Sequence, residues 1–303
     1  MTTTPGSAPA RPRKPQLNLT VRRREQLSPS MVRVVLGVDE PERFQDIAPP
    51  EKYVKLVFLD PATEHATAEH AATGHPAAGH PAAGRPAPGP NPDYWALKES
   101  LPPEHQPVTR HLTIRRWIPE RAELWMDFVL HGDEGWAGPW AARAEPGDRI
   151  IALGPGGRWT PSAEAAWTLI AADDAAIPAA LAVLEALPAS AHGEVVLEVD
   201  SPRDVLPVTA PAGMAVRWVF RRDTAEGVPA LVRAVQEAGW PSGAAGVQVF
   251  AHGEREAMKA LRDELFGRRG LERDQVSLSG YWARGRTEDV FQAEKKLPVG
   301  MIL

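Results

Sequence analysis

Residues 110–157 read RHLTIRRWIPERAELWMDFVLHGDEGWAGPWAARAEPGDRIIALGPGG. Polar and apolar residues alternate from Arg110 to Arg115, as they do along a half-buried strand. Turn-forming residues follow at 119–122, and a second alternating run extends from Leu124 to His131. A glycine-rich loop then leads directly into a short helical segment at 140–144. We therefore predict a β-hairpin that is followed by a loop and a helix.

The loop before this helix is a candidate anion site. Backbone amides at a helix start have no intrahelical partner, and the helix dipole places positive charge there. On the preceding strand, the guanidinium of Arg110 and the hydroxyl of Thr113 would complete a clamp for a pyrophosphate. On spacing alone, an ordinary β-hairpin leading into a helix explains the same pattern. Both interpretations stay open at this point.

Five short motifs follow one another at close spacing: Arg110-x-x-Thr113-Ile114-Arg115, DFVLHG at 127–132, GPWA at 138–141, PGD at 146–148 and GPGG at 154–157. In this order they resemble the flavin-binding domain of the siderophore-interacting proteins. These are NAD(P)H-dependent ferric-siderophore reductases of the ferredoxin-reductase superfamily. The resemblance continues through AADD at 171–174, AHGE at 251–254 and SGYW at 279–282. It covers most of the chain outside two low-complexity segments.

The resemblance implies FAD as the cofactor. In the family an Arg-x-Tyr-Thr strand lies along the flavin, and the later glycine loop holds the pyrophosphate of FAD. The third position of this strand is usually Tyr and is Leu112 here, a departure that bears on aromatic stacking and not on flavin binding as such. The residues expected to bind FAD are Arg110, His111, Leu112, Thr113, Ile114, Asp127, Val129, His131, Gly135, Ala137, Gly138 and Trp140.

Length and composition limit the class of protein. A chain of 303 residues is long enough for two domains, each with its own core. The formal net charge of −5 provides no general attraction to nucleic acid or to anionic lipid. The absence of cysteine excludes disulfides, thiolate-bound zinc and cysteine-held iron–sulfur clusters. Since we find neither a membrane-spanning apolar run nor a signal-peptide core, we expect a cytoplasmic protein, with a monomer as the default.

The first half is predicted to be a barrel with an arm and an insertion. Residues 1–16 have nothing to pack and are expected to form a disordered arm. Within 17–161, short β-branched runs alternate with turn residues, which favours an antiparallel barrel, the expected FAD-binding domain. A low-complexity insertion at 61–93 carries histidines with a five-residue period. That period fits neither a helix face nor a compact chelate, so we predict no metal site.

The second half, 162–303, is predicted to be an α/β domain of the NAD(P)-binding type. Buried strands are expected near 166–172, 195–199, 215–220, 247–251 and 276–279. A helix is expected from Pro178, and another between the last two strands. Strands that alternate with helices form a parallel sheet covered on both faces. The expected fold class is thus an antiparallel flavin-binding β-barrel followed by a parallel-sheet α/β domain.

Ligands of such sheets bind at the carboxyl ends of the strands. Here that crevice would be lined by Asp173, Asp174, the turn at 252–254 and the Tyr281-Trp282 segment. We expect Asp173 and Asp174 to contact the electron donor, NADPH or NADH, and Trp282 to cover the flavin ring or to shape the cleft. The chain has no Gly-x-Gly-x-x-Gly fingerprint, and the resemblance implies a shorter loop at 171–176 instead. In this loop Ala172 replaces the usual Gly and Ala175 replaces a hydroxyl residue. We therefore expect weaker nicotinamide binding than flavin binding.

Two arginines lie near the same crevice. Arg221 and Arg222 follow a strand end, where they could pair with a cofactor 2′-phosphate. A plain surface pair is the alternative interpretation.

Basic residues are the candidates for substrate binding. Lys55 resembles a lysine that, in the family, is part of a basic set near the substrate cleft. A solvent-facing lysine is the alternative interpretation. Residues 280–296 resemble the carboxyl-terminal extension of one branch of the family, which returns toward the flavin. A solvated basic helix explains this segment equally well. The residues expected to bind the substrate are Lys55, Arg284, Arg286, Lys295 and Lys296.

These observations lead to one hypothesis and two alternatives. The hypothesis is a reductase that passes electrons from NADPH or NADH through FAD to a ferric siderophore and so releases Fe(II). Hard oxygen donors hold Fe(III) more firmly than Fe(II), so reduction loosens the complex. Because the flavin performs the electron transfer, we predict no catalytic side chain. One alternative is a general flavin reductase or a reductase with ferredoxin as its partner. The other is a non-catalytic protein that binds or shuttles ferric siderophores.

Overall fold

The structure, a computed structural model, describes residues 13–44, 46–59, 91–132, 134–223 and 227–303. The arm as far as residue 12 and the histidine-containing insertion from residue 60 to residue 90 lie outside the described residues. The described strands form two sheets, one of seven strands and one of five.

The seven-stranded sheet is antiparallel, with the strand order β4-β3-β7-β1-β2-β6-β5. Its strands are β1 (Gln16–Ser28), β2 (Met31–Val38), β3 (Tyr53–Phe58), β4 (Val108–Thr113), β5 (Arg116–Ile118), β6 (Glu123–Val129) and β7 (Arg149–Gly156). Two short helices accompany it, α1 (Tyr94–Ser100) and α2 (Ala137–Arg143). Every second residue of β1 from Leu17 to Val21 is buried, since successive side chains of a strand face opposite sides.

The two edge strands of this sheet, β4 and β5, follow one another in the chain. Strand β4 pairs with β3, and β5 pairs with β6 at the opposite edge. Between them the amide of Ile114 donates to the carbonyl of Lys52, and the amide of Arg115 donates to the carbonyl of Trp125. The chain therefore changes partner strand within two residues, and the sheet closes toward a barrel. The strand that we predicted at 110–115 therefore ends at Thr113, and Ile114 and Arg115 connect it to β5.

The five-stranded sheet is parallel throughout, with the order β10-β9-β8-β11-β12. Its strands are β8 (Trp167–Asp173), β9 (His192–Val199), β10 (Gly213–Phe220), β11 (Val247–Glu254) and β12 (Val276–Trp282). Its helices are α3 (Ile177–Glu185), α4 (Ala230–Gln236), α5 (Arg255–Arg262), which continues as a π-helix (Asp263–Arg268), and α6 (Glu288–Glu294). Separate apolar cores lie on its two faces. The antiparallel, barrel-like sheet and the parallel sheet with helices confirm the predicted fold class.

The order of the parallel sheet reverses between β8 and β11, which creates a crevice at the carboxyl ends of these two strands. The barrel packs next to this region. Ser30 of the barrel donates to the carboxylate of Asp204 at 2.6 Å, and Arg115 pairs with Glu185 of α3. These two contacts hold the barrel against the second sheet.

Candidate functional site

Strand β4 carries the motif that predicted flavin binding. In its pairing with β3, Arg110 lies opposite Leu56 and His111 lies opposite Lys55. Because side chains alternate, Arg110 and Leu112 share the face that packs toward the barrel core, and His111 and Thr113 share the outer face. Leu112 is half-buried against that core.

The carboxyl-terminal helix α6 contacts this strand through charged pairs. The two terminal nitrogens of Arg110 each donate to one oxygen of Asp289 at 3.0 Å. The guanidinium is 12% exposed and the carboxylate is 72% exposed. Next to them, Nδ1 of His111 lies 3.9 Å from the carboxylate of Glu288. The start of α6 therefore places two carboxylates against the predicted cofactor strand.

The pKa of Glu288 reflects this contact. Burial by itself would raise this pKa, but the nearby imidazole of His111 and the hydrogen bond from Gln292 outweigh the burial, so the pKa lies below its usual range. The Gln292 amide donates to Glu288 at 2.8 Å. Glu288 thus stays ionised beside the strand.

Thr113 meets the second sheet at Tyr281, an aromatic residue of the predicted crevice. Its buried side chain lies beside the hydroxyl of Tyr281, whose pKa burial raises above its usual range. The Tyr281 ring lies 5.1 Å from the ring of His252, between ring centres. Nε2 of His252 lies 2.9 Å from the hydroxyl of Ser277, while Nδ1 is buried without a hydrogen-bond partner. Burial lowers the pKa of His252 to about 3, so this junction is uncharged at neutral pH.

The glycine-rich loop is open where the sequence predicted an anion site. Gly135 has a φ of 82°, a left-handed backbone that favours glycine, and nothing lies within 4 Å of a Cβ built there. Helix α2 begins after Trp136 without a side-chain cap. A Cβ at Gly138 would lie 3.1 Å from the carbonyl oxygen of Val129, so glycine allows the helix start to pack closely on β6. His131 is exposed at the rim of this loop.

Other predicted cofactor residues lie in the packing beneath the loop. The Trp140 ring is 6.2 Å from that of Phe58 and 5.7 Å from that of Phe128, between ring centres. Ala137 packs against the same core, and Ile114 is buried in it. These side chains pack beneath the loop and support it. Their predicted contact with FAD stays a prediction.

Asp127 has an internal partner. Its two oxygens accept hydrogen bonds from Nε and a terminal nitrogen of Arg33 at 2.7 and 2.8 Å. The Asp127 side chain is 1% exposed and that of Arg33 is 15% exposed. The Arg33 guanidinium also lies 4.8 Å from the centre of the Trp125 ring. The structure therefore gives Asp127 a role in joining β2 to β6.

At the crevice of the second sheet, Asp173 joins the carboxyl ends of three strands. Its Oδ2 accepts hydrogen bonds from Nε1 of Trp282 at 2.7 Å and from the amide of Glu254 at 2.8 Å. Its Oδ1 accepts one from the amide of Ala176 at 3.3 Å. A Cβ at Gly253 would lie 2.7 Å from Oδ2, so only glycine allows this approach. Burial and then the charge of Asp174 raise the pKa of Asp173 to about 7.

The arginines at this crevice are already engaged. Arg221 donates to Asp174 at 2.8 Å and to Glu198 at 3.3 Å. Arg222 donates to Asp200 at 2.8 Å and is largely exposed. The surface-pair interpretation therefore describes Arg222, whereas Arg221 joins two acidic residues next to the crevice.

The predicted basic residues of the tail differ in their partners. Arg286 donates to Glu294 at 2.8 Å and so is paired. Arg284, Lys295 and Lys296 are exposed. The tail thus offers positive charge near the crevice, although not from all four of its predicted residues.

Lys55 lies on the outer face of the barrel, opposite His111, and has two lysine neighbours. Burial, and then the positive charges of Lys14 and Lys98, lower the pKa of Lys55. Among the described residues, none of these three lysines forms an ion pair with a carboxylate. Lys14 and Lys98 were not predicted, because they lie far from Lys55 in sequence.

Among the described residues, no group of three or more His, Asp or Glu side chains is arranged to hold a metal ion. No helix in the described part of the chain is both long and apolar enough to cross a membrane.

Known proteins with the same fold indicate the class of this protein. An antiparallel barrel joined to a parallel sheet is the fold of the ferredoxin reductase of carbazole 1,9a-dioxygenase, with a TM-score of 0.61, 15% identity, and coverage of 90% of this chain and 71% of that one. Family models match the chain over residues 20–159, as a siderophore-interacting FAD-binding domain, and over 165–285, as a siderophore-interacting protein. The chain belongs to the siderophore-interacting protein family.

Relatives of known sequence agree with this assignment. An uncharacterized protein of Mycobacterium tuberculosis is 39% identical over 89% of this chain and 91% of its own length. The ferric vibriobactin reductase ViuB of Vibrio cholerae is 36% identical over 64% of this chain and 71% of its own. The crystal structure of the siderophore-interacting protein SipS from Aeromonas hydrophila has a TM-score of 0.70 and 27% identity, and covers 94% of this chain and 98% of that one.

Proposed function

We propose that this protein is a cytoplasmic, FAD-dependent reductase of ferric siderophores that takes its electrons from a nicotinamide nucleotide. The observation that carries the proposal is the meeting of the two predicted sites. Thr113 at the end of β4 lies beside the hydroxyl of Tyr281, the neighbour of Trp282 at the crevice of the parallel sheet. An electron donor in that crevice would therefore be adjacent to a flavin on β4. The relatives named as ferric vibriobactin and ferric acinetobactin reductases support the same reaction.

The donor set on the barrel fits FAD. Arg110 presents both terminal nitrogens to an anion, since it holds the exposed carboxylate of Asp289 in this way. The open loop around Gly135 and the uncapped start of α2 add backbone amides for a phosphate. When bound, FAD would supply the conversion of a two-electron donor to one-electron steps. We assign FAD to the stretch 17–161 and the nucleotide to 162–303.

The crevice favours NADH over NADPH. Asp173, Asp174 and Glu198 are buried carboxylates near the strand ends, and Arg221 is already paired with two of these acidic residues. A 2′-phosphate would add two negative charges beside this set, whereas a ribose 2′-hydroxyl can donate to a carboxylate. NADH is therefore the expected donor.

The substrate is held by charge and needs no protein base. Arg284, Lys295 and Lys296 from the tail and Lys55 from the barrel supply positive charge on the sides of the cofactor strand. Such charge raises the local concentration of an anionic chelate. Reduction to Fe(II) weakens the hold of hard oxygen ligands, so release of iron needs no bond cleavage in the siderophore.

The test is an anaerobic assay of the purified protein reconstituted with FAD. NADH, NADPH and reduced ferredoxin are added separately with a ferric siderophore, and Fe(II) is trapped by ferrozine. We expect flavin bleaching by NADH, Fe(II) release on addition of the chelate, and slower reduction by NADPH. Rapid NADH oxidation with no preference for ferric chelates would show a general flavin reductase. Chelate binding without electron transfer would show a shuttle protein.

A further inference from the structure

The indole of Trp282 is held by side chains of the parallel sheet, at the edge where ligands of such sheets bind. Its Nε1 donates to Oδ2 of Asp173 at 2.7 Å. The guanidinium of Arg221 lies 5.9 Å from the centre of the indole ring, within the range of a cation–π contact. Trp282 ends β12, Asp173 ends β8, and Arg221 follows the end of β10. The indole is therefore tied to the carboxyl ends of two other strands.

The two groups that hold the indole are themselves fixed. Oδ2 of Asp173 also accepts a hydrogen bond from the amide of Glu254 at 2.8 Å, and Asp173 is 1% exposed. Arg221 is paired with Asp174 at 2.8 Å and with Glu198 at 3.3 Å. A side chain whose partners are locked by packing and by further hydrogen bonds keeps a single orientation. The indole ring is thus oriented before any ligand binds.

Trp282 also lies where the two predicted sites meet. Its neighbour Tyr281 lies beside Thr113 at the end of β4. The ligand crevice opens where the strand order reverses, between β8, which ends at Asp173, and β11. Trp282 is only partly buried, so part of its ring is available to a ligand. Because the contacts that orient the ring come from the parallel sheet, the ring belongs to the donor side of this junction.

We propose that Asp173 is a positioning residue, which holds the indole of Trp282 as the wall on which the nicotinamide ring of the donor stacks. A planar ring that is fixed beforehand stacks on a planar ligand ring with little loss of entropy. In the hydride step the C4–H bond of the nicotinamide breaks, and both electrons go with the hydrogen to the flavin, which leaves the oxidised nucleotide. This step depends steeply on the distance between the reacting atoms, so a misplaced wall slows it. The inference rests on the proposed function and adds to it a residue that acts through Trp282.

The test measures bleaching of the flavin by NADH in anaerobic stopped flow, with the full chain and FAD bound. Trp282→Phe keeps an aromatic ring and removes the Nε1 donor, whereas Asp173→Ala removes the acceptor. We expect each substitution to slow bleaching at saturating NADH about tenfold. The double variant should also be slowed only about tenfold, because both changes remove the same hydrogen bond. Asp173→Asn keeps an oxygen that can accept from the indole, so it should stay within about twofold of the wild type.

The matched control is Trp240→Phe. Nε1 of Trp240 donates to the carbonyl of Val235, also at 2.7 Å, and its ring lies beside Trp167 at the beginning of β8, away from the crevice. This control should bleach at the wild-type rate. Urea unfolding and FAD titration check that each variant is folded. If Asp173→Ala does not fold, Asp173→Ser takes its place, because its side chain is too short to reach the indole.

Three results would overturn the positioning role. They are a wild-type rate in Trp282→Phe, a double variant slowed about a hundredfold, which would show that the two residues act independently, and Asp173→Asn as slow as Asp173→Ala, which would assign the effect to charge. Release of Fe(II) by the wild type with NADH leaves the proposed function intact in all three cases. If reduced ferredoxin bleaches the wild-type flavin and NADH does not, both this inference and the proposed donor are wrong, while ferric reduction stands.

Discussion

Arg110 and Asp289 form a two-point ion pair between strand β4 and the carboxyl-terminal helix α6, with both N–O distances at 3.0 Å. The residues are far apart in sequence, and the carboxylate occupies the two terminal nitrogens that the pyrophosphate of FAD is predicted to use. Because the Asp289 carboxylate is 72% exposed, it can leave at little cost. The helix is thus a weak competitor for the anion site.

Replacing this competitor should strengthen flavin binding. In Asp289→Asn the charge that neutralises Arg110 is gone, so we expect the Kd for FAD to fall about two- to fivefold at low salt. Titration of the apoprotein followed by flavin fluorescence measures this. The control is Asp263→Asn, which removes a carboxylate of equal 72% exposure paired with Arg262. Weaker FAD binding by Asp289→Asn would show that the pair orients Arg110 and does not compete.

A second experiment separates a structural role of Asp127 from a cofactor role. Asp127→Ala leaves the guanidinium of Arg33 largely buried without its carboxylate, so we expect the free energy of unfolding to drop by about 3 kcal/mol. Urea denaturation of the apoprotein measures the loss. Glu40→Ala, which breaks the exposed pair with Arg43, should cost less than about 1 kcal/mol. Unchanged stability with lost FAD binding would instead support the predicted cofactor contact.

Asp173 should make stability depend on pH. Its pKa is about 7 in the folded protein, against an ordinary value of 3.8 for aspartate, so the folded state binds the proton more tightly than the unfolded chain. The stability from this proton is present at low pH and is lost as the pH rises toward 7. The difference in free energy of unfolding, wild type minus Asp173→Asn, should therefore fall from about pH 4 and level off near pH 8.

Urea unfolding at several pH values measures this difference, with the exposed residue Asp274 changed to Asn as the control. Fluorescence of Trp282, whose indole donates to Asp173, should titrate over the same range. A difference that is constant with pH would mean that Asp173 is ionised throughout.

Leu112→Tyr tests the departure from the family strand motif. The leucine is half-buried beside Arg110, and a tyrosine there would offer a ring to stack on the flavin. We expect about fivefold tighter FAD binding. Leu112→Phe separates the contribution of the ring from that of the hydroxyl. If both substitutions weaken FAD binding while the apoprotein stays folded, the flavin does not lie against this side chain.

Much of the fold was predictable from local patterns. The two-residue alternation in β1 and β6, and the buried runs of β8 and β11, identify antiparallel and parallel strands because each period reports which faces of a strand are buried. The order of the flavin motifs predicted the family. The junction at Ile114 was missed, because the alternation continues through it although the partner strand changes.

The partners of the site residues came only from tertiary structure. A repeating pattern reports which side of an element a residue takes, yet it carries no information about which distant segment will meet that side. For this reason spacing could not predict the ion pairs Arg33–Asp127 and Arg110–Asp289. It also could not predict that Lys14 and Lys98 lie near Lys55. Strands and motifs can be recognised from the local sequence, whereas these charge contacts form only when distant segments of the chain pack together.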